Sequence, residues 1–291
     1  MELKSFDELI KKVQSNSIIK RVVVAAAHDE HTLQAVFKAV ENNIVDPILV
    51  GDKTKINDIL KNLNIDFDEK KIINTNNDDE SAEVTVKIIN ENNADFIMKG
   101  KIQTADLLRV VVNKEKGLHT GRVMSMMVIH EMPTYHKLLV VTDGGMMMYP
   151  TLDEKKQIIE NAVDTLINMG YENPKVAVLA AVENVNPKMP ESVDAGLLKE
   201  MNQKGEIKNC IVEGPISYDL VMSKESADIK SFKSPVVGEA DILIVPNITA
   251  GNILGKSLVY SAGATMAGFI VGAKVPIVLT SRGSSSEEKY L

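Results

Sequence analysis

Lys137-Leu-Leu-Val-Val-Thr142, Asp143-Gly-Gly-Met-Met-Met-Tyr-Pro150 and the segment Thr151 to Gly170 follow one another directly, and together they decide the fold. The first is a short apolar, β-branched run and reads as a buried strand. The second is rich in glycine and ends in proline, so it reads as a loop. In the third, Leu152, Ile158, Ile159, Ala162, Val163, Leu166 and Ile167 form one apolar stripe at helical spacing, with Thr151 placed to cap the helix and Gly170 to stop it.

The same alternation runs outward in both directions from Arg21 to the end of the chain. Strands are predicted at Val22–Ala27, Pro47–Val50, Lys71–Asn74, Asp95–Lys99, Val123–His130 and Lys137–Thr142, then at Lys175–Ala181, Asn209–Glu213, Asp241–Val245 and Val275–Thr280. Strands separated by helix-length amphipathic segments predict an α/β protein built on parallel sheet with crossover helices. The loop before Thr151 is the expected domain junction. No Gly/Ser-rich or Pro-rich linker occurs, so two halves are expected to pack together and form a cleft. The polar run Asn74–Glu80 predicts an exposed loop leading to a helix. Ser257 to Ala273 holds 17 residues without a charge, short of the ~20 a spanning helix needs. With Gly263, Gly268 and Gly272 inside it, this stretch reads as a buried helix lying close against a sheet.

Composition narrows the class. The chain has 291 residues, 44% of them hydrophobic and 25% charged, which excludes collagen-like repeats and global disorder. At about 150 residues per domain, this length suggests two domains or one large one. The net charge of −7 argues against nonspecific nucleic-acid binding, yet it leaves room for a small basic pocket. The single cysteine, Cys210, has no intramolecular partner, and Met1 to Lys12 carries no cationic, apolar leader. A cytoplasmic location is therefore expected.

Two segments could carry chemistry. Ala250-Gly-Asn-Ile-Leu-Gly-Lys-Ser257 satisfies a relaxed phosphate-loop pattern, with Ala where the strict form needs Gly for backbone amides to wrap phosphate. Three readings stay open for it: a nucleotide-hydrolysing loop, an ordinary strand-to-helix turn with a surface lysine, or a helix N-terminus at which Thr249, Gly251 and Asn252 donate to an anion. Thr280-Ser-Arg-Gly-Ser-Ser-Ser-Glu-Glu288 follows the last predicted strand, at the end of an α/β sheet where ligands gather. Ser281 can donate a hydrogen bond there and Arg282 can grip a phosphate with its planar fork. Equally, a serine followed two or three positions later by Glu is a helix start.

The remaining features are quieter. His28 and His31 sit three apart at a helix head, where capping and solvation outweigh a zinc pair lacking further ligands. Met124, Met126 and Met127, with Met146 to Met148, read as fillers of core or cleft gaps, or as the lining of an acyl pocket. Cys210 lies in a predicted strand and reads as a buried, inert thiol.

Several of these pieces fall into one pattern. Lys99-Gly-Lys-Ile-Gln-Thr-Ala-Asp-Leu-Leu-Arg109, the Thr142-Asp143 turn with Pro150-Thr151 after it, and Glu213-Gly-Pro-Ile-Ser-Tyr-Asp219 come first. Ser234-Pro-Val-Val-Gly238, Pro246-Asn-Ile-Thr-Ala-Gly-Asn252 and Ser281-Arg-Gly283 follow. In order and spacing this set resembles the phosphate acetyl/butyryltransferases over almost the whole chain. The compact length and Lys99-Gly-Lys101 look more like the butyryl branch than the acetyl branch.

The resemblance implies reversible transfer of a short acyl group between coenzyme A and inorganic phosphate. It implies two α/β domains of isocitrate/isopropylmalate dehydrogenase-like architecture, residues 1–148 with 268–291 and residues 149–267, with the site in the cleft. A homodimer or higher homo-oligomer is expected, with acyl-CoA and phosphate as partners and neither nucleic acid nor membrane. Ser281, Arg282 and Glu288 carry over as catalytic residues, Glu288 standing where the acetyl enzymes have aspartate. Lys101, Thr104, Arg109, Asp143, Thr249, Gly251 and Asn252 are the expected substrate contacts. No metal is required, and coenzyme A is a substrate rather than a bound cofactor. Family members continue the last helix beyond the point where this chain ends at Leu291, and so short a helix is expected to hold Glu288 loosely. The competing readings are an acetyl preference, a coenzyme A-binding relative with weak catalysis, and a metal-dependent NAD dehydrogenase, whose arginine group and aspartate cluster are not found in the sequence.

Overall fold

The computed structural model describes residues 2–16, 18–280 and 285–291. The chain divides into two units, residues 7–122 with 267–291 and residues 1–6 with 123–266.

In the first unit α1 (Phe6–Ser15) is followed by β1 (Lys20–Ala25), α2 (Glu30–Glu41), β2 (Val45–Gly51) and α3 (Lys53–Asn62). Next come β3 (Ile72–Asn74), α4 (Asp78–Asn90), β4 (Phe96–Lys99) and α5 (Thr104–Val111). The second unit runs through β5 (Ser125–Glu131), β6 (Leu139–Thr142), α6 (Leu152–Asn168), β7 (Lys175–Leu179), α7 (Pro190–Gln203) and β8 (Ile211–Ile216). It continues with α8 (Tyr218–Met222), α9 (Lys224–Ile229), β9 (Ile242–Ile244) and α10 (Ile248–Ala262). The chain then re-enters the first unit with β10 (Thr265–Val271), β11 (Ile277–Val278) and α11 (Ser286–Tyr290).

In the first unit the strand order is β3-β2-β1-β4-β11-β10, parallel except where β10 runs against β11. β1 lies mid-sheet, and the continuous run Val22-Val-Val-Ala25 is buried on both faces, as a parallel strand under two helix layers requires. Val22, Val24, Leu49 and Met98 pack on one face with Leu33 and Val36 of α2. In the second unit the order is β5-β6-β9-β7-β8, with β5 antiparallel to β6 and the rest parallel. Leu139, Val141, Ala177 and Leu243 build its core with Leu220 of α8 and Leu258 of α10. α6 begins with a full capping box: the Thr151 hydroxyl accepts from the Glu154 N–H, and the Glu154 carboxylate accepts from the Thr151 N–H at 2.7 Å. Among the described residues, no helix is long and apolar enough to cross a membrane.

Three expectations are revised. The uncharged stretch Ser257–Ala273 is not one buried helix but the end of α10 followed by β10. Gly263, in the left-handed region at φ +69°, ends the helix, a conformation that glycine adopts without a Cβ penalty. A run of small uncharged residues has no periodicity to separate helix from strand, which is why the break went unread. The predicted strand Val123–His130 exists as β5, but it is the antiparallel member of its sheet. Its hairpin with β6 also belongs to the second unit, where β6 pairs in parallel with β9; the chain passes from the first unit to the second at 122/123, against an expected 148/149.

His130 on β5 is fully buried, and neither ring nitrogen has a hydrogen-bond partner among the described residues. Burial holds its pKa down at about 4, against 6.5 for a free imidazole. An imidazole kept neutral in the fold contributes its stability in full above 6.5, and that contribution is lost as pH falls towards 4 because the unfolded chain takes the proton first. Between pH 7 and 5 this residue should cost the native state about 2 kcal/mol. Urea unfolding at the two pH values should therefore show a smaller acid loss in His130→Leu than in the wild type; equal losses would show that the proton is taken up elsewhere.

Candidate active site

Neighbouring parallel strands deliver their following loops to one edge of the sheet, the edge at which α/β proteins bind ligands. In the first unit the ladder continues past the strand ends: Gly100 N donates to Ala25 O at 2.8 Å, Lys101 N to Ala26 O at 2.9 Å, and Ala27 N to Val50 O at 2.8 Å. The residues after β1, β2 and β4 are thus fixed side by side. His28 stands over Gly51, where a Cβ would lie 2.9 Å from its Nδ1. Burial, opposed by Asp78 and Asp52 and helped by Lys55 and Lys101, holds this imidazole below its ordinary pKa. Lys99 is buried, its Nζ donating to the carbonyls of Gly100 at 3.1 Å and Ile102 at 3.0 Å, whereas Lys101 and Thr104 are exposed. Arg109 lies farther along α5 and turns towards α4, pairing with Asp79 at 2.6 Å and Asp106 at 3.4 Å. With Lys87, Lys116, Val86 and Val110 it lines a cavity of about 670 Å3. Exposed pairs of this kind are worth about 1 kcal/mol or less, so an anionic ligand can displace Asp79 cheaply.

Ser281 and Arg282 lie outside the described residues. Glu288 is described and exposed, and it closes a capping box on α11: its Oε2 accepts from Ser285 N at 3.0 Å, while Ser285 Oγ accepts from Glu288 N at 3.2 Å. The helix-start reading of Thr280–Glu288 is therefore realised from Ser285 onward. The loose end expected at Leu291 is replaced by a fastened one. Lys289 is buried, and its Nζ reaches Asp29 Oδ2 at 2.8 Å and Thr32 Oγ1 at 2.9 Å. Burial raises the Asp29 pKa, but the Lys289 ammonium and the Thr32 hydroxyl and N–H outweigh it and hold the carboxyl down at about 2. Lys289 was not picked out in the sequence, since a lysine near a chain end reads as solvated, and Lys99 entered as part of a motif, with nothing to show that its side chain is buried. Asp29 with Thr32 three residues on was legible as a helix cap, and α2 uses it so.

In the second unit the register Thr142 opposite Ile244 sets the loop after β6 beside the helix after β9. Asp143 is buried, and its carboxylate accepts from the N–H groups of Gly145 at 2.8 Å, Met146 at 2.9 Å and Met147 at 3.0 Å. Burial raises its pKa against the pull of those amides. Asp143 is expected to meet substrate, and in the structure both of its oxygens accept from amides of the loop that follows it. Asn247 caps α10, its Oδ1 accepting from Ala250 N at 3.1 Å, so the helix starts at Ile248 and Lys256 sits in its third turn. That placement removes the nucleotide-loop reading, which needs the lysine at the mouth of a glycine cradle. Gly251 is buried against Gly144, and its N–H goes to Asn247 O at 3.1 Å, while Thr249 and Asn252 are exposed. Met124 and Met127 fill core, Met126 packs on Gly145, and Met148 is exposed.

A chain of this construction has the α/β fold seen in 4-hydroxythreonine-4-phosphate dehydrogenase from Burkholderia phymatum, with TM-score 0.53 at 13% identity over 94% of this chain and 97% of that one. It is closer in shape to a branched-chain phosphotransacylase from Enterococcus faecalis V583, with TM-score 0.80, 34% identity, and coverage of 94% and 95%. The phosphate acetyl/butaryl transferase family model matches residues 5–91 and 80–291, and the chain belongs to that family. The phosphate acetyltransferase of Thermotoga maritima is 44% identical over 271 residues, 93% of this chain and 92% of its own length. The phosphate butyryltransferase of Clostridium acetobutylicum is 43% identical over 287 residues, 99% and 95% of the two chains.

The contact between loop and helix allows no side chain on either glycine. A Cβ on Gly251 would lie 2.7 Å from Gly144 Cα, whereas one on Gly255 would meet only His130 Nε2, at 3.7 Å. Gly251→Ala should therefore destabilise the chain by about 1 to 3 kcal/mol through overpacking. Gly255→Ala should be neutral or stabilise it by up to about 1 kcal/mol through helix propensity. Thermal unfolding of both variants checks the contrast, and equal midpoints would refute it.

Proposed function

We propose that this member of the phosphate acetyl/butaryl transferase family moves a short acyl group, butyryl by preference, between coenzyme A and inorganic phosphate to give an acyl phosphate. The observation that carries the reading is near-full-length kinship with relatives named for phosphate acyl transfer. The butyryl preference draws on the Lys99-Gly-Lys101 segment, and an acetyl preference is the alternative.

In the proposed step both substrates are bound together. Glu288, or neighbouring Glu287, takes the thiol proton of coenzyme A; the sulfur forms its bond to the acyl-phosphate carbonyl carbon, and the carbon–oxygen bond to phosphate breaks. Arg282 holds the departing phosphate, and Ser281 donates to the thiolate or to the developing oxyanion. The capping bond of Glu288 uses Oε2, so Oε1 is the oxygen offered to the thiol. Lys101, Thr104, Arg109, Asp143, Thr249, Gly251 and Asn252 are the proposed contacts for phosphate and coenzyme A. Proton transfer and displacement of this kind need neither a metal nor a resident cofactor.

We place the protein in the cytoplasm as a homodimer or higher homo-oligomer. α10 exposes Ile253 and Tyr260 on a face with no acidic side chain, so two copies of a chain of net charge −7 can meet there without opposing like carboxylates. Sedimentation of Ile253→Asp/Tyr260→Asp should show the monomer, and an unchanged assembly would move the interface elsewhere.

The purified protein should release free thiol from butyryl-CoA only when phosphate is present, and Arg282→Ala should lower kcat/KM at least about a hundredfold, as expected for loss of a charged transition-state contact. One methylene is worth about 1 to 3 kcal/mol, so a panel of acetyl-, propionyl- and butyryl-CoA should separate by tenfold or more in kcat/KM. Highest kcat/KM for acetyl-CoA selects the alternative preference, and no release from any of the three sinks the reading.

A further inference from the structure

Next in sequence to Glu287 and Glu288 is the buried Lys289, and its surroundings have no need of a substrate to explain them. α11 is only five residues long, too short to be stable by itself. It is held from outside. The Lys289 side chain is 2% exposed and its Nζ meets Asp29 Oδ2 at 2.8 Å and Thr32 Oγ1 at 2.9 Å. Asp29 is the N-cap of α2 and Thr32 lies in its first turn; this twelve-residue helix buries Thr32, Leu33, Ala35, Val36 and Phe37 in the first unit. Beyond Lys289, Tyr290 packs against the same core with the Lys38 ammonium 4.5 Å above its ring. Glu287 and Glu288 remain exposed on the other side of the short helix.

We infer that Asp29 and Lys289 are positioning residues for acyl transfer, an ion pair that ties the carboxylate-bearing helix α11 to the rigid start of α2 and so fixes where Glu287 and Glu288 stand. The inference rests on the acyl-transfer reading above. Asp29 follows His28 at the end of β1, so the pair references the proposed base to the strand edge that carries Lys101 and Thr104. Positioning by a group outside the chemistry has a distinct kinetic mark: it lowers the rate of the step and leaves substrate affinity alone.

Asp29→Asn is the cleanest single probe, because asparagine still caps α2 while the charge that holds Lys289 is gone. Lys289→Met keeps the apolar stem, and Asp29→Asn/Lys289→Met leaves no buried charge unpaired. Each should lower kcat for thiol release about tenfold with KM for phosphate within twofold. The double variant should be no slower than the slower single, since both changes break one contact. Lys289→Arg should recover at least half of the wild-type kcat. Hydrogen exchange at residues 286–291 should be at least tenfold faster in the double variant than in the wild type, with melting midpoints recorded so that all assays run on folded protein. Wild-type kcat in the double variant, or a loss confined to KM, overturns the inference while the acyl-transfer reading stands. A wild type that releases no thiol from any short acyl-CoA overturns that reading instead, and the exchange rates then show separately whether the pair holds α11.

Discussion

Parallel pairing between neighbouring strands is the constraint from which the described site features follow. β6 and β9 lie in register, Val140 opposite Ile242 and Thr142 opposite Ile244, so whatever follows one strand must lie beside whatever follows the other. That alone brings a glycine- and methionine-rich loop against the first turn of α10 and forbids a side chain at Gly144 and Gly251. In the other unit β1, β4 and β11 are neighbours, so His28 and Asp29, the Lys99–Thr104 segment and Thr280 come to one edge although they are far apart in sequence. Loop identity decides the chemistry, and strand pairing decides which loops meet.

Much of this was legible from the chain, for a physical reason. Strands buried between helix layers must be apolar along their whole length, so Val22–Ala25, Leu139–Val141 and Ile242–Ile244 announce themselves as short runs, and α6 shows its stripe, cap and stop in order. Periodicity is a local signal, and it fails where structure is set from a distance. The orientation of β5 depends on its partner, and β10 depends on a single left-handed glycine. The buried lysines show the same limit. Lys155 is held by Asp194, 39 residues away, Lys137 by Asp241, 104 away, and Lys289 by Asp29, 260 away; no window of sequence contains both members of any pair.

At the candidate site the strand-end segments were legible, and the hydrogen bonds made within them were not. Asp143 was expected at the site through the family resemblance; its two following glycines are what a carboxylate needs to fold a loop around itself, and its oxygens accept from that loop's N–H groups. Glu288 entered through the same resemblance, and it serves the start of its own helix as well. The phosphate-loop pattern around Lys256 dissolved for a similar reason: Asn247 starts the helix earlier than the glycines suggest. In each case a residue type with two physical uses was resolved by which backbone N–H lay within reach.

Cys210 has a bearing on any protein that handles a thiol substrate. It is the chain's single cysteine, 7% exposed, with its thiol pushed up to about 12 by burial and then by the Glu160 charge. Near pH 8 on the order of one such thiol in ten thousand is ionised, too few to exchange with a disulfide at a useful rate. The folded chain is thus chemically silent towards oxidised coenzyme A and cannot be trapped as a mixed disulfide with it. A disulfide reagent added to the native protein counts substrate sulfur alone, and the appearance of one further equivalent per chain marks the moment the second unit opens.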